Sequence, residues 1–139
     1  MPPTLKITIG TDVFIGRLAT DSAPQSCRKL TEILPYRGKL IHARWSGESL
    51  WSPLGALWPP TLYLPEEDAT QRPSPGEILL YAGKLSEPEL LVVYGPTRFA
   101  CSAGDLAGNR VITIEENLAR LAELGREVLW HGALPLCIA

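Results

Sequence analysis

The sequence of 139 residues has little of what marks several large classes of protein. It contains no apolar stretch close to the ~20 residues that a membrane-spanning helix needs. Its 13 Lys and Arg residues are balanced by 15 Asp and Glu residues, without runs of one sign. A nucleic-acid-binding protein normally shows a basic face, because phosphate neutralisation supplies much of its affinity. We therefore expect neither a membrane nor a nucleic acid as a partner.

Histidine and cysteine are also scarce. The two histidines, His42 and His131, have no partner at ligand spacing, so we expect no metal site, and no glycine-rich motif indicates a cofactor. The three cysteines are far apart and lie among apolar residues: Cys27, Cys101 and Cys137. Three buried free thiols favour a reducing cytoplasm over a disulfide framework. The N-terminal residues lack the basic start and apolar run of a signal peptide, which also predicts a cytoplasmic location.

Apolar residues and proline are plentiful. Hydrophobic residues make up 45% of the chain, and the 13 prolines are nearly twice the usual share of about 5%. This composition predicts one domain over residues 1–139, with a single core and many short elements. Six of the 13 prolines lie between Pro53 and Pro75, which predicts a long loop over residues 56–75.

Alternating apolar and polar residues predict short strands that mostly arrive as hairpins. The predicted strands cover residues 5–10, 13–18, 39–45, 49–54, 77–81, 90–94, 98–101, 109–114 and 133–138. The pair 77–81 and 90–94 is almost continuously apolar, so we expect burial on both faces, between the interior of the sheet and a covering helix.

Two helices are predicted from apolar residues at helical spacing. The first follows a capping box, Ser22–Gln25, and ends at Pro35, and the second follows a capping box at Thr113–Glu116. Their apolar faces are formed by Cys27, Leu30 and Leu34 in the first helix and by Leu118, Leu121, Gly125, Val128 and Leu129 in the second. Hairpins with only two helices favour a mainly β fold: a closed, mostly antiparallel β-barrel of about eight strands with two capping α-helices.

Strand alternation brings one group of polar side chains together. Alternate residues from Ile41 to Trp45 are expected to face the barrel interior, which leaves His42 and Arg44 on the outer face, with Glu48 just past the turn. Such a group can bind an anion or move a proton, so His42, Arg44 and Glu48 are the candidate catalytic residues. The alternative is a solvated strand with an ion pair.

Other residues are candidates for contact with a small ligand. Arg98 beside Phe99 could place a guanidinium over an apolar pocket that accepts a carboxylate. Trp51 could be a core residue or a ligand platform, and Asn109 could form a turn or contact a ligand. The predicted ligand-binding residues are therefore Arg44, Trp51, Arg98, Phe99 and Asn109.

Two acidic residues flank Pro88 at the turn between the most apolar strands. They are Glu87 and Glu89. Paired carboxylates are typical of acid–base sites. At a turn they are more often solvated, and that is the interpretation we favour for this pair.

The order of these elements and three stretches of sequence resemble the cyclophilin fold. The stretches are Ala23–Cys27, His42–Gly47 and Gly104–Val111. A second set is similar to a family of uncharacterised bacterial proteins with a cyclophilin-like fold: His42–Glu48, Pro75–Tyr81, Ser86-Glu87, Tyr94-Gly95 and Leu106–Asn109. This resemblance implies a cyclophilin-like barrel and leaves the function open.

The likeness to cyclophilins also implies peptidyl-prolyl cis-trans isomerase activity as an alternative function. Arg44 matches the catalytic arginine of that family, although alignment on the following glycine places Ala43 there. Phe99 matches one aromatic residue of the proline pocket. The family's second aromatic, tryptophan and histidine positions are occupied here by Ala100, Asp105 and Arg110.

Three functions follow as hypotheses. The first is binding of a small anionic metabolite, either alone or as an accessory to a metabolic enzyme, and the second is prolyl isomerisation. The third is a structural or oligomerisation module, in which apolar residues of the long loop form a contact between copies: Trp58, Leu62 and Tyr63. We expect a homo-oligomer, although the loop could instead fold back over one end of the barrel.

Overall fold

A computed structural model describes residues 3–59 and 63–139. In chain order its strands and helices are β1 (Thr4–Ile9), β2 (Asp12–Leu18), α1 (Pro24–Glu32), β3 (Tyr36–His42), β4 (Gly47–Pro53), β5 (Ala69–Thr70), β6 (Glu77–Tyr81), β7 (Glu89–Thr97), β8 (Ala100–Cys101), β9 (Gly104–Asp105), β10 (Gly108–Ile114), α2 (Leu118–His131) and β11 (Leu134–Ile138). A short 3₁₀ turn covers Gly55–Leu57.

Eight of the strands close into a barrel in the order β2-β1-β11-β3-β4-β7-β6-β10, and β10 pairs back with β2. Each of these neighbouring pairs is antiparallel. The predicted fold class, a closed antiparallel barrel of eight strands with two helices, is therefore confirmed. The hairpin of β1 and β2 turns at Gly10, whose φ of +62° suits a residue without a side chain.

The main core lies inside the barrel and continues under both helices. Aliphatic side chains from the strands fill it, including those of Ile7, Leu50 and Ile112. Helix α2 packs against β3, β4 and β7, and α1 packs against β10. The buried face of α2 is formed by Leu121, Leu124, Gly125 and Val128. Leu129 was predicted to share this face and is exposed instead, so that prediction was wrong.

A second, smaller core lies on the outer face of β6 and β7. Leu79, Leu91 and Val93 point outward there and are covered by Phe99 and Leu106. Burial of both faces of these strands was predicted, but the cover is the segment that contains β8 and β9, not a helix. Part of this segment forms one wall of the cavity described below.

The two predicted capping boxes do not form. Helix α1 begins without a side-chain bond from its N-cap residue, and the same holds for α2. The N-terminus of α1 is capped from the long loop: the carboxylate of Glu67 accepts bonds from the amide of Gln25 (3.2 Å) and from the amide (2.8 Å) and hydroxyl (2.7 Å) of Ser26. A carboxylate at this position satisfies free amides and the positive end of the helix dipole.

The predicted loop over residues 56–75 is partly ordered by pairing. Its strand β5 adds to β10, with Thr70 opposite Gly108 and Ala69 opposite Asn109. Trp58 is only 2% exposed, so its predicted place on an exposed contact surface was wrong, whereas Tyr63 is exposed. Leu62 and Pro60 lie outside the described residues. Oligomerisation through this loop stays a prediction.

Two further expectations concern the burial of the three cysteines and the absence of a membrane-spanning helix. All three cysteines are free, but only Cys27 is buried, and Cys101 and Cys137 are partly exposed. Burial raises the pKa of the Cys27 thiol to about 11. Across residues 3–59 and 63–139, neither helix has the length and apolar character that would let it pass through a membrane.

Candidate functional site

The faces of β3 are the reverse of those predicted. Leu40 is buried in the barrel and Ile41 is exposed, so the inward positions are those of Tyr36, Leu40 and, at the end of the strand, His42. Beyond His42 the chain bends, and Trp45 is 59% exposed. The prediction was wrong because it extended the alternation of a strand through residues that form a bend.

His42 is bonded on both ring nitrogens. Its Nδ1 lies 2.8 Å from the carbonyl oxygen of Ala43, and its Nε2 lies 2.7 Å from the hydroxyl oxygen of Tyr94. A carbonyl oxygen can only accept, so Nδ1 donates to Ala43, and Nε2 shares a hydrogen bond with the Tyr94 hydroxyl. The pKa of Tyr94 is raised, first by burial and then by the charge of Glu48, against the opposing effect of Arg126.

Glu48 lies against β7 beside this pair. Its side chain covers Gly95, where an added Cβ would lie 2.7 Å from Oε1. Gly95 follows Tyr94 on β7, and neighbouring residues of a strand point to opposite faces, so Glu48 acts on Tyr94 through its charge and not through a contact with the pair. Neither His42 nor Glu48 lines the cavity that contains Arg44. The three candidate catalytic residues therefore do not form the single outer patch that was predicted.

Arg44 instead lines a cavity of about 170 Å³ on the outer face of the barrel. The floor is formed by Trp51 on β4 and Leu91 on β7, which are paired across the two strands. The walls come from three segments: the bend Ala43–Ser46, the turn before β7, and Ala100–Ser102. Arg44 and Trp51, predicted separately as ligand-binding residues, thus share one cavity.

Backbone and hydroxyl bonds tie two of these walls together. The hydroxyl of Ser46 donates to the carbonyl of Ala100 (3.1 Å) and accepts from the amide of Ala100 (3.0 Å). The amide of Arg98 donates to the carbonyl of Ser46 (2.9 Å), and the amide of Ala43 donates to the carbonyl of Ser49 (3.0 Å). The bend that carries Arg44 is therefore fixed at both ends, which places Arg44 on a defined wall of the cavity.

Glu89 lines this cavity and was misjudged from the sequence. It is the first residue of β7, opposite Pro53 and Tyr81 on the neighbouring strands, and is only 6% exposed. Its carboxyl group makes no hydrogen bond or salt bridge with the described residues. Burial, and then the nearby charge of Glu87, raise its pKa to about 8. The expectation that both glutamates are solvated holds for Glu87 alone, which is exposed.

A signal for Glu89 was present in the sequence. Residues two apart in a strand share a face, so Glu89 shares the outward face of Leu91 and Val93. What the sequence did not show is that later segments pack over this face: Phe99 and Leu106 cover Leu91 and Val93, and Ala100–Ser102 lines the cavity beside Glu89.

Arg98 and Phe99 do not form the predicted pocket. The guanidinium of Arg98 is exposed and pairs with Asp105. Phe99 is buried and packs edge-on against Tyr81, with ring centroids 5.6 Å apart. Neither residue lines the cavity of Arg44. Phe99 is instead part of the outer core, which also contains Leu91 from the cavity floor.

Asn109 is a structural residue in this fold. Its amide nitrogen donates to the hydroxyl of Ser26 (2.8 Å) and to the carbonyl of Pro65 (3.0 Å), and its amide oxygen accepts from the amide of Glu67 (3.1 Å). These bonds join β10, α1 and the long loop. With its polar atoms engaged in this way, the side chain holds the loop residue that caps α1.

Fold and cavity together define a class: a closed antiparallel barrel with a concave site on its outer face, built around an unpartnered buried carboxyl group. The chain belongs to a family of proteins of unknown function, DUF3830, whose pattern matches residues 6–139. None of the curated proteins matches this chain in sequence.

The solved structures that share the fold include the following two. McbB, in a structure of its complex with tryptophan, is 22% identical, with a TM-score of 0.72 over 96% of this chain and 43% of McbB. The chain therefore spans less than half the length of McbB. The hypothetical protein AF2241 from Archaeoglobus fulgidus, solved in solution, is 14% identical, with a TM-score of 0.62 over 97% of this chain and 92% of AF2241. At these identities the likeness is one of fold.

Proposed function

We propose that this protein binds a small anionic metabolite with an aromatic ring in the cavity lined by Arg44, Trp51 and Glu89. The observation that supports this proposal most strongly is Glu89: the residue is only 6% exposed, its carboxyl group has no partner among the described residues, and it lines a concave site. Perturbed titratable groups in a cleft are typical of binding and catalytic sites.

The size of the cavity limits the ligand. A cavity of roughly 150 Å³ can hold one benzene molecule, and this one measures about 170 Å³. It therefore has room for about one six-membered ring, and the remainder of an indole-sized ligand would extend beyond it. Trp45 and Trp51 both line it, and aromatic side chains favour stacked or edge-on contact with a planar ring.

Arg44 provides the anion-binding group. It is exposed and makes no salt bridge within residues 3–59 and 63–139, so its guanidinium is available to a ligand. A guanidinium can hold a carboxylate through two parallel hydrogen bonds. The complex of McbB with tryptophan offers a ligand with a ring and a carboxylate, which makes L-tryptophan the first probe to test.

Isothermal titration calorimetry with L-tryptophan and with indole-3-acetate tests the proposal. We expect both to bind, and we expect Arg44→Gln to weaken binding by about 10-fold or more, the usual effect of losing a hydrogen bond to a charged group. Arg72→Gln is the matched control, because Arg72 is exposed and lies outside the cavity. Absence of binding, or equal affinity of Arg44→Gln and the unaltered protein, would contradict the proposal.

The other two functions receive less support. Prolyl isomerase activity would need an aromatic proline pocket. Phe99, the candidate aromatic residue, is buried within the outer core. An accessory role beside a metabolic enzyme is compatible with ligand binding at this cavity. Homo-oligomerisation stays a prediction, which light scattering over a range of protein concentrations would test.

A further inference from the structure

We propose that the ligand also carries a basic nitrogen, and that this nitrogen forms a charge-assisted hydrogen bond with the carboxylate of Glu89. This inference rests on the proposed function, since it concerns the same cavity, and it names the ligand class more closely. The ligand would be an aromatic amine whose carboxylate lies towards Arg44, as in an aromatic amino acid.

The first argument is the burial of Glu89. Carboxylates are rarely this buried unless they are paired or bonded. Glu89 is 6% exposed and has neither kind of partner among the described residues. It lines a cavity, however, so a ligand that enters the cavity can provide the missing donor. A glutamate that lacks a partner and lines a cavity therefore indicates a ligand that donates a hydrogen bond to it.

The second argument is the set of groups that surround Glu89. Tyr81, opposite Glu89 on β6, already accepts the amides of Leu85 and Ser86 on its hydroxyl. On β4 the facing residues are Pro53 and Trp51, which bear no charge. The remaining titratable or charged groups of the cavity are Glu87, Cys101 and Arg44.

Charge then decides which kind of donor fits. Glu87 is the nearest charge that acts on Glu89, and it is negative. Two carboxylates close together disfavour each other's ionisation, and a cation between or beside them removes that penalty. A positively charged nitrogen is therefore favoured at this part of the cavity, and an anion is disfavoured. Arg44 lines the same cavity without forming a salt bridge to Glu89, so the two charged groups can contact different parts of one ligand.

Binding of an ammonium group has a proton balance that can be measured. Because the pKa of Glu89 is about 8, its carboxyl group mostly carries a proton at pH 7. When an ammonium group binds, the O–H bond of Glu89 breaks, the proton goes to the buffer, and the carboxylate accepts an N–H bond from the ligand. A ligand without a basic nitrogen would leave that proton in place.

Calorimetry with three probes distinguishes these cases: tryptamine, indole-3-propionate and L-tryptophan. Each is titrated at pH 7 in phosphate and in Tris, whose ionisation enthalpies differ, so that the difference in heat reports the protons released. We expect the protein to release up to about one proton for each molecule of tryptamine or L-tryptophan that binds, as linkage requires. Binding of indole-3-propionate should release none.

The variant Glu89→Gln is nearly isosteric and removes the acid. We expect it to abolish proton release and to weaken tryptamine and L-tryptophan by about 10- to 100-fold, as for loss of a charged hydrogen bond, while indole-3-propionate binds as before. Glu116→Gln, at an exposed residue outside the cavity, is the control for the change of net charge. Proton release by the unaltered protein tests the inference even if Glu89→Gln does not fold.

The outcomes separate the two proposals. If indole-3-propionate binds in an Arg44-dependent way while the amines gain no affinity and release no proton, this inference is overturned and the proposed function stands. If the amines bind with proton release and indole-3-propionate does not bind, the basic nitrogen is supported and the anionic part of the proposed function is overturned. Absence of binding by all three overturns both.

Discussion

The hydroxyl oxygen of Tyr94 lies 2.7 Å from Nε2 of His42, and this bond joins the end of β3 to β7 beneath α2. The two rings meet nearly at right angles, with centroids 5.7 Å apart. Gly125 of α2 lies so close to the Tyr94 ring that a side chain there would clash with it. Since His42 also donates to the carbonyl of Ala43, the pair connects α2 with the bend that carries Arg44.

Tyr94→Phe should destabilise the protein, because it keeps the ring against Gly125 and removes only the hydroxyl. Nε2 of His42 would then lose its partner in a partly buried position. Loss of one partner of a buried hydrogen bond costs about 1–3 kcal/mol, and we expect a reduction of this size in the free energy of unfolding. Urea denaturation monitored by circular dichroism measures it.

Tyr63→Phe is the matched control for that change. Tyr63 is exposed, and its hydroxyl makes no hydrogen bond with the described residues, so we expect the free energy of unfolding to stay within about 0.5 kcal/mol of the unaltered protein. Equal losses for both variants would mean that the bond between His42 and Tyr94 contributes nothing specific.

Glu67→Gln should weaken the cap of α1 in a pH-dependent way. Burial raises the pKa of Glu67, but the bonds from Ser26 and Gln25, helped by the charge of Arg28, outweigh burial and lower the pKa below 4.5. A lowered pKa stabilises the fold above 4.5, and this contribution disappears as pH falls through the folded-state pKa. We expect the variant to lose about 1 kcal/mol at neutral pH, as for other N-cap changes.

Urea denaturation of both proteins at pH 7 and at pH 3 tests this expectation. The difference between them should shrink at the lower pH, as the pH falls towards the folded-state pKa of Glu67. Glu66→Gln, at the exposed neighbouring residue, should show no such difference at either pH. A Glu67→Gln deficit that is the same at pH 3 as at pH 7 would show that the charge of the cap is unimportant.

The barrel could be predicted because its signals are local. Each hairpin is indicated by alternating apolar and polar residues over a short stretch, as in β1 and β2 around Gly10. The presence of only two helices among many strands excludes a doubly wound sheet. The ends of elements were less predictable. The strand through Leu40 stops at His42, and the alternation that was extended to Trp45 assigned the wrong face to four residues.

The site depended on contacts between distant parts of the chain. Ser26 and Glu67, which meet at the cap of α1, are 41 residues apart, and no local pattern relates them. Glu89 is buried beside a cavity whose lining comes from distant segments, 43–46 and 100–102, which strand periodicity does not bring together. Strand alternation and residue type indicate Arg44 and Trp51 as ligand candidates, and these two share a cavity, whereas the turn position of Glu89 predicts a solvated residue and the structure buries it.

Glu89→Gln should make the protein more stable at alkaline pH, which is the opposite of the usual result for removing a glutamate from a salt bridge. The folded-state pKa of Glu89 is about 8, against an ordinary 4.5. Between these two values the folded protein holds a proton that the unfolded chain has lost, so its free energy of unfolding decreases as pH rises. A glutamine at this position does not titrate and avoids that loss.

We therefore expect Glu89→Gln and the unaltered protein to differ little at pH 5, and the variant to be more stable by about 2–4 kcal/mol at pH 9, given roughly 1.4 kcal/mol for each unit of pKa difference. Thermal and urea unfolding across this pH range measure the change. Glu116→Gln, at an exposed residue, should follow the unaltered protein throughout. Parallel pH profiles for Glu89→Gln and the unaltered protein would mean that the carboxyl group of Glu89 is solvated or paired, and that the cavity does not hold an unpartnered acid.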